Sequence, residues 1–299
     1  MTDLPKKNIV IIGASGFIGG SLYRNLKKNL CKDYTVRGTY HSSHTATGLV
    51  RLDITQFSEL ECFLSDISPD FILLAAGNKN LQQCEDDITR AYALNTQPVK
   101  SIINIVNKYQ LSSRLLFFST DYVFDGKYGN YRDTDIPNPT TNYGRTKYMA
   151  EELLLNSSIN YKIIRTAAVM GRGGVFFDWI LDTMIRGKQL SMYQNSHFSP
   201  TPMTFLNEVI LKIIINYDQI SQRILHIVGE KRMNRYQFAV LVKKFLTSEI
   251  TITPENNQDT SALFQYDLSL IPSTIINAWR EKDFEDYLKD EILNASNSE

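Results

Sequence analysis

The stretch Asn8-Ile9-Val10-Ile11-Ile12-Gly13-Ala14-Ser15-Gly16-Phe17-Ile18-Gly19 decides the fold. Asn8 to Ile12 is a short, continuous apolar run, the pattern of a parallel strand covered on both faces. It stops at Gly13, and glycines then recur at spacing three and three while a helix opens. Phe17, Ile18, Leu22 and Leu26 follow at helical intervals and predict a helix from about Gly16 to Asn29. Glycines placed there let the backbone turn tightly and approach a pyrophosphate, whose charge is held by amides at the positive helix end. An isolated glycine pattern is weak evidence. The strand before it and the helix after it give it weight.

Outward from this point strand and helix alternate. The spacing predicts strands at Thr35 to Tyr40, Phe71 to Ala75, Leu115 to Ser119 and Tyr161 to Arg165. It predicts helices at Gln56 to Ser65, Ile88 to Lys108 and from an Asn142 cap to about Leu155. Such alternation implies right-handed βαβ units and a Rossmann-type, doubly wound parallel α/β sheet. Asp121 to Thr141, with two glycines and two prolines, reads as a long loop, of a length usually functional or disordered. Beyond Gly171 the alternation fails. Helices near Val175 to Ile185, Phe205 to Asn216 and Arg235 to Leu246 are interleaved with short strands such as Leu190 to Met192 and Ile224 to Ile227. We expect a dinucleotide-binding domain over residues 1–170, with later segments returning to it, and mainly a smaller C-terminal α/β substrate lobe over 171–299.

The end of the second strand discriminates between dinucleotides, because an acid there binds the ribose 2′-OH and disfavours a 2′-phosphate. This chain has Tyr40-His41-Ser42-Ser43 and no carboxylate. NADPH is therefore expected ahead of NADH, which stays open. Asp53 and Ile54, after Leu52, lie where a third strand end could meet the adenine. Ala75, Ala76 and Gly77 close the fourth.

Composition sets the bounds. The 299 residues are 43% hydrophobic and 21% charged, typical of globular proteins, with 32 basic and 32 acidic side chains. No overall field draws the chain to nucleic acid or an anionic membrane, so an anionic ligand has to be held locally. Cys31, Cys62 and Cys84 are odd in number and scattered, arguing against disulfides and a zinc site and for a reducing cytoplasm. No signal segment or membrane span is legible.

Tyr143-Gly144-Arg145-Thr146-Lys147 places a phenol and an ammonium four residues apart on one helix face. A free tyrosine ionises near ~10, and a neighbouring cation lowers that value. The phenol can then donate a proton to a carbonyl oxygen whose carbon receives hydride. The spacing alone is common. Ser119 and Thr120 add hydroxyls at the carboxyl edge of the sheet, where ligands bind. Asn95 is a polar interruption of its helix, expected to orient the lysine or a water.

With these residues assembled, the chain resembles the extended short-chain dehydrogenase/reductases and, within them, the dTDP-4-dehydrorhamnose reductase family. The likeness is carried by Phe118-Ser119-Thr120-Asp121-Tyr122-Val123-Phe124-Asp125-Gly126, Asp135, Pro137, Pro139, the Tyr143 to Lys147 motif, Ile164-Arg165-Thr166 and Ser199-Pro200-Thr201. It implies catalysis by Thr120, Tyr143 and Lys147, and cofactor binding by Gly13, Ser15, Gly16, Phe17, Ile18, Gly19, His41, Ser42, Asp53, Ile54, Ala75, Ala76, Gly77 and Asn95, with Tyr143 and Lys147 also reaching the cofactor. Asp121, Tyr122, Phe198, Pro200 and Thr201 would face the substrate, and no metal is implied. The implied activity is NADPH-dependent reduction of a 4-keto deoxysugar nucleotide, with homodimerisation left open. The chain departs from the family at Gly77-Asn78-Lys79-Asn80, Ala167-Ala168 and Asn195-Ser196-His197-Phe198, all on the substrate side. An epimerase or dehydratase on the same scaffold is one alternative. Another is a non-catalytic NADP-binding regulatory subunit, such as the similar beta subunit of methionine adenosyltransferase.

Overall fold

The computed structural model describes residues 6–42, 48–259, 261 and 263–296. Ser43, expected at the tip of the second strand, lies outside them. The first part of the chain runs β1 (Lys7–Ile12), α1 (Phe17–Asn29), β2 (Tyr34–Tyr40), β3 (Val50–Arg51), α2 (Phe57–Ile67), β4 (Phe71–Leu74), α3 (Leu81–Asp86), α4 (Ile88–Asn95), α5 (Gln97–Lys108), β5 (Arg114–Thr120), α6 (Asn142–Leu155) and β6 (Asn160–Thr166). A central seven-stranded sheet has the order β3-β2-β1-β4-β5-β6 followed by the strand Ile224–His226. β1 pairs in parallel with β2 and β4, β2 with β3, and β4 with β5. This is the expected doubly wound order, and its reversal between β1 and β4 opens a crevice at the carboxyl ends of the strands.

Ile9, Val10, Ile11 and Ile12 are all fully buried, as a strand covered on both faces requires. On one side Val10, Ile12, Ile72 and Leu115 pack against Leu60 and Leu64 of α2 and Val99 and Ile102 of α5. Burial of each such aliphatic side chain is worth about 1.5–3 kcal/mol. That packing holds the strand ends, and the loops leaving them, in fixed register.

Several boundaries differ from the sequence reading. The helix expected over Ile88 to Lys108 breaks at Thr96, before Gln97 and Pro98. Proline lacks an amide donor and disfavours helical conformation in the residue before it, so α5 starts afresh with Pro98 in its first turn. The short α3 was not anticipated. Its Asn80 cap, which accepts from the Gln83 amide at 3.0 Å, is the local signal. The cap of α6 is Thr141, whose hydroxyl accepts from the Gly144 amide at 3.0 Å, and Asn142 is the first helical residue. The strand at Ile224 belongs to the central sheet rather than to a peripheral lobe. Within the expected loop after β5, Asp121–Val123 forms a 3₁₀ turn.

The chain divides into two compact units: Met1–Ser119 with Thr141–Ile164 and Ile210–Ile224, and Thr120–Thr140 with Arg165–Val209 and Leu225–Glu299. The second contains the helices Val175–Ile185 and Arg235–Leu246, which match their predicted bounds. It also contains two-stranded pairings of 190–193 with 252–255 and of 197–198 with 233–234. Its core gathers Phe177, Ile180, Phe238, Phe284 and Leu288. Among the described residues no helix is long and apolar enough to cross a membrane.

Candidate active site

In the first unit the glycine stretch forms a close-packed cradle. Gly13 has φ +92°, and a Cβ there would lie 2.7 Å from the Ala76 backbone nitrogen. A Cβ on Gly19 would lie 2.2 Å from the Gly13 carbonyl oxygen. Both positions therefore need glycine. The Gly13 amide donates to Thr39 Oγ1 at 3.2 Å and the Gly16 amide to the Gly13 carbonyl at 3.0 Å, fixing the turn. Gly16 caps α1 without a side-chain hydrogen bond, so no side-chain oxygen takes the place an anion would fill at that helix end.

The cradle opens into a cleft of about 480 Å³. Gly13, Ser15 and Gly16 line it beside His41, Asp53 and Ile54 from the neighbouring strand ends, with Ala75, Ala76 and Gly77 opposite. The size and the convergence of strand ends suit a dinucleotide. Phe17, Ile18, Gly19, Ser42 and Asn95, also expected at the cofactor, stand outside this lining. Phe17 and Ile18 begin α1 half-buried, and Gly19 packs beneath the turn. Thr39, Thr55 and Arg90 line the cleft without having been singled out from the sequence.

The tip of β2 carries no acid of its own, but the sheet order brings one. Asp53 Oδ2 lies 3.6 Å from His41 Nε2, while Asp53 Oδ1 accepts from the Thr55 amide at 2.9 Å and its hydroxyl at 2.7 Å. Partial burial raises the Asp53 pKa, yet these bonds and His41 outweigh it and hold the carboxyl below its usual range. Asp53 is thus an ionised group at the cleft rim beside His41.

Tyr143 and Lys147 share one face of α6, as expected. Lys147 is buried, its Nζ donates to the Phe118 carbonyl, and it sits 4.1 Å from the centre of the Phe117 ring. Burial pushes its pKa down to about 7, against the pull of Glu151. Asn95 does not reach Lys147. Its amide donates to Asn78 O at 3.0 Å and Thr146 Oγ1 at 3.1 Å, and its Oδ1 accepts from the Asn78 amide at 2.8 Å. Asn95 therefore ties the turn beside Gly77, a wall of the cleft, to the residue preceding Lys147. Thr96 adds a 2.6 Å bond to the Thr146 carbonyl. Glu151, fully buried and accepting from Ser119 Oγ at 2.5 Å, escaped the sequence reading. Its signal was the repeat of the four-residue spacing from Tyr143 through Lys147.

In the second unit Thr120, the last residue of β5, donates through its hydroxyl to Asp121 Oδ1 at 2.9 Å. Burial raises Asp121 to about 7, partly offset by Thr120 and, further off, Arg235. Tyr122 is raised to about 12 by burial and by Asp121. Arg235 was not anticipated. Its guanidinium lies 4.8 Å from the Phe176 ring centre and 5.3 Å from that of Phe198, and Nε donates to Ser196 Oγ at 3.3 Å. Phe198, Pro200 and Thr201, expected at the substrate, are buried, and the Thr201 amide donates to Ala168 O at 3.0 Å. They shape their surroundings from within the unit's core.

The strand order, the glycine cradle and the crevice above it define a Rossmann-type α/β protein. Residues 7–265 match the family described as the RmlD substrate binding domain, and the chain belongs to that family. A dTDP-4-dehydrorhamnose reductase of Aggregatibacter actinomycetemcomitans is 31% identical over 242 residues, 78% of this chain and 77% of that protein. The structure of a hypothetical dTDP-4-dehydrorhamnose reductase from Sulfolobus tokodaii is similar at TM-score 0.81 and 30% identity, covering 94% of this chain and 98% of that one. The fold is also shared with a Bacillus anthracis dTDP-4-dehydrorhamnose reductase in complex with NADP, at TM-score 0.84 and 21% identity over 97% and 100% of the two chains.

Proposed function

We propose that this protein is an NADPH-dependent reductase of a 4-keto deoxysugar nucleotide, in line with the relatives named dTDP-4-dehydrorhamnose reductase. One observation carries the reading: Asn95 joins Asn78, next to the cleft-lining Gly77, to Thr146, so the helix bearing Tyr143 and Lys147 is tied to a wall of the cleft. The residues present fit the cofactor. Gly13 and Gly19, where a Cβ would collide with backbone, keep the turn tight enough for a pyrophosphate to approach, and His41 with Ser42 stands where an acid would select NADH. The NADP held by the Bacillus anthracis relative agrees with this choice.

When bound, the reduced nicotinamide supplies hydride to the carbonyl carbon of the sugar. Tyr143 gives its phenolic proton to the carbonyl oxygen. The ammonium of Lys147 favours the phenolate left behind and holds the cofactor ribose. On turning from Asp121, the Thr120 hydroxyl donates its hydrogen bond to the same carbonyl oxygen, and Asp121 and Tyr122 border the sugar. Residues 1–170 would serve the cofactor and 171–299 mainly the substrate. The three free cysteines suit the cytoplasm, where we place the enzyme, with homodimerisation open.

The test is to offer the purified protein NADPH and a panel of 4-keto deoxysugar nucleotides, following the nicotinamide absorbance. Consumption dependent on one of them supports the reading. Tight NADPH binding without turnover of any would favour a regulatory role instead.

A further inference from the structure

The mechanism above leaves one fully buried acid without a task. Glu151 lies one helical turn after Lys147 on α6, and residues four apart in a helix face the same way. Its Oε1 accepts from Ser119 Oγ at 2.5 Å, and Ser119 follows directly on Phe118, whose carbonyl receives the Lys147 ammonium. Two adjacent residues of β5 thus hold Lys147 and Glu151 of α6, each by one hydrogen bond.

Elementary electrostatics says what the acid is for. An ammonium in an apolar pocket is costly and tends to lose its proton unless a negative charge lies close by. Phe117 packs against Lys147 on one side, and the Phe118 carbonyl offers a dipole but no charge. From α4 comes the neutral Asn95, turned to Thr146 and Asn78. From α3 come Cys84, whose Sγ donates to Asn78 O at 3.6 Å, and Glu85, which accepts from the Asn142 amide. On α6 itself stand Tyr143 and Glu151. The charge acting to keep Lys147 protonated is that of Glu151.

We propose that Glu151 is a positioning residue for the reaction: held by Ser119, its carboxylate keeps Lys147 cationic and in place, so that Tyr143 can act as the acid at neutral pH. The proposal rests on the reductase reading and adds a residue to it. A buried carboxylate retained only for packing would have no influence on how activity depends on pH. One that sustains the lysine charge does.

Glu151→Gln keeps shape and a partner for Ser119 while removing the charge. The pH profile of kcat/KM for NADPH-dependent reduction should then lose its alkaline limb at a pH lower by about 1 unit, the scale of one close charge. Glu151→Asp should restore the position of the limb, even if the rate stays low. Ser119→Ala, which frees the carboxylate, should move the limb the same way by less. NADPH affinity, read by fluorescence across the same pH range, should show the parallel shift, since Lys147 holds the ribose. A folded Glu151→Gln whose profile superimposes on the wild type overturns the proposal. If that variant does not fold, an unmoved limb in Ser119→Ala overturns it. A wild type that reduces no substrate overturns the reductase reading instead, and the shift in NADPH affinity then decides the role of Glu151.

Discussion

The buried Lys147 side chain donates its hydrogen bond to the backbone carbonyl of Phe118, tying α6 to β5 next to the hydroxyl of Ser119. In the proposed mechanism this contact holds a cation near the phenol four residues earlier. Lys147→Met keeps the length and apolar packing of the stem but removes the charge. It should lower turnover by more than ~10², the low end for losing acid–base assistance, and also weaken NADPH binding. Parallel stopped-flow and fluorescence titration would measure both. Loss of turnover with unaltered cofactor affinity would remove Lys147 from the ribose.

Cofactor choice turns on the rim pair His41 and Asp53. His41 lies beside the ionised Asp53 and, with Ser42, stands where a donor can meet a 2′-phosphate. NADPH should bind more tightly than NADH, and Ser42→Asp should push the preference toward NADH. Asp53→Asn should weaken NADPH more than NADH. Fluorescence titration of both cofactors against the three proteins checks this, and equal affinities in the wild type would remove the argument.

The cradle itself makes a steric prediction. Gly19→Ala places a methyl 2.2 Å from the Gly13 carbonyl, and that backbone has no flexible side chain to yield. Cofactor affinity should fall by at least about tenfold, about 1.4 kcal/mol, as the turn is pushed open. Gly48→Ala, where a Cβ meets nothing within 4 Å, is the control for the change to alanine, at a positive φ. Calorimetric titration with NADPH distinguishes them.

Stability in acid should depend on His226, which lies in the second unit. Burial, with Arg165 adding to it, pushes its pKa down to about 3. Unfolded, it would take a proton near ~6.5. The contribution of neutral His226 is therefore complete above that value and is lost as pH falls from about 6.5 toward 3. The drop in Tm between pH 7 and pH 5 should be smaller in His226→Gln than in the wild type. Equal drops in differential scanning calorimetry would assign the acid sensitivity to other groups.

What the sequence disclosed, and what it hid, follows from the range of each interaction. The run Ile9 to Ile12, the glycine spacing after it and the helical intervals of Arg235–Leu246 are local patterns, and each is found in the structure. Local signals were also misweighed: Pro98 announced a helix start that a long apolar periodicity concealed, and Thr141 outcompeted Asn142 as a cap. The pairing of Asp53 with His41 was illegible because the order β1-β2-β3 creates it, not the chain. Glu151 was hidden for a different reason. An acid in a helix ordinarily faces water, and only the packing of α6 on β5 turns this one inward. Phe198 and Thr201, which a motif resemblance puts at the substrate, have side chains buried within their unit.

The central claim is that Tyr143 is the proton donor of a reductase, and Tyr143→Phe tests it most directly. The substitution deletes one oxygen and leaves the aromatic ring. Measured on a 4-keto deoxysugar nucleotide that the wild type reduces, with NADPH affinity determined on the same preparation, the variant should bind cofactor as the wild type does. Its turnover should fall by ~10² to 10⁴. Wild-type turnover by Tyr143→Phe on that substrate would contradict the account.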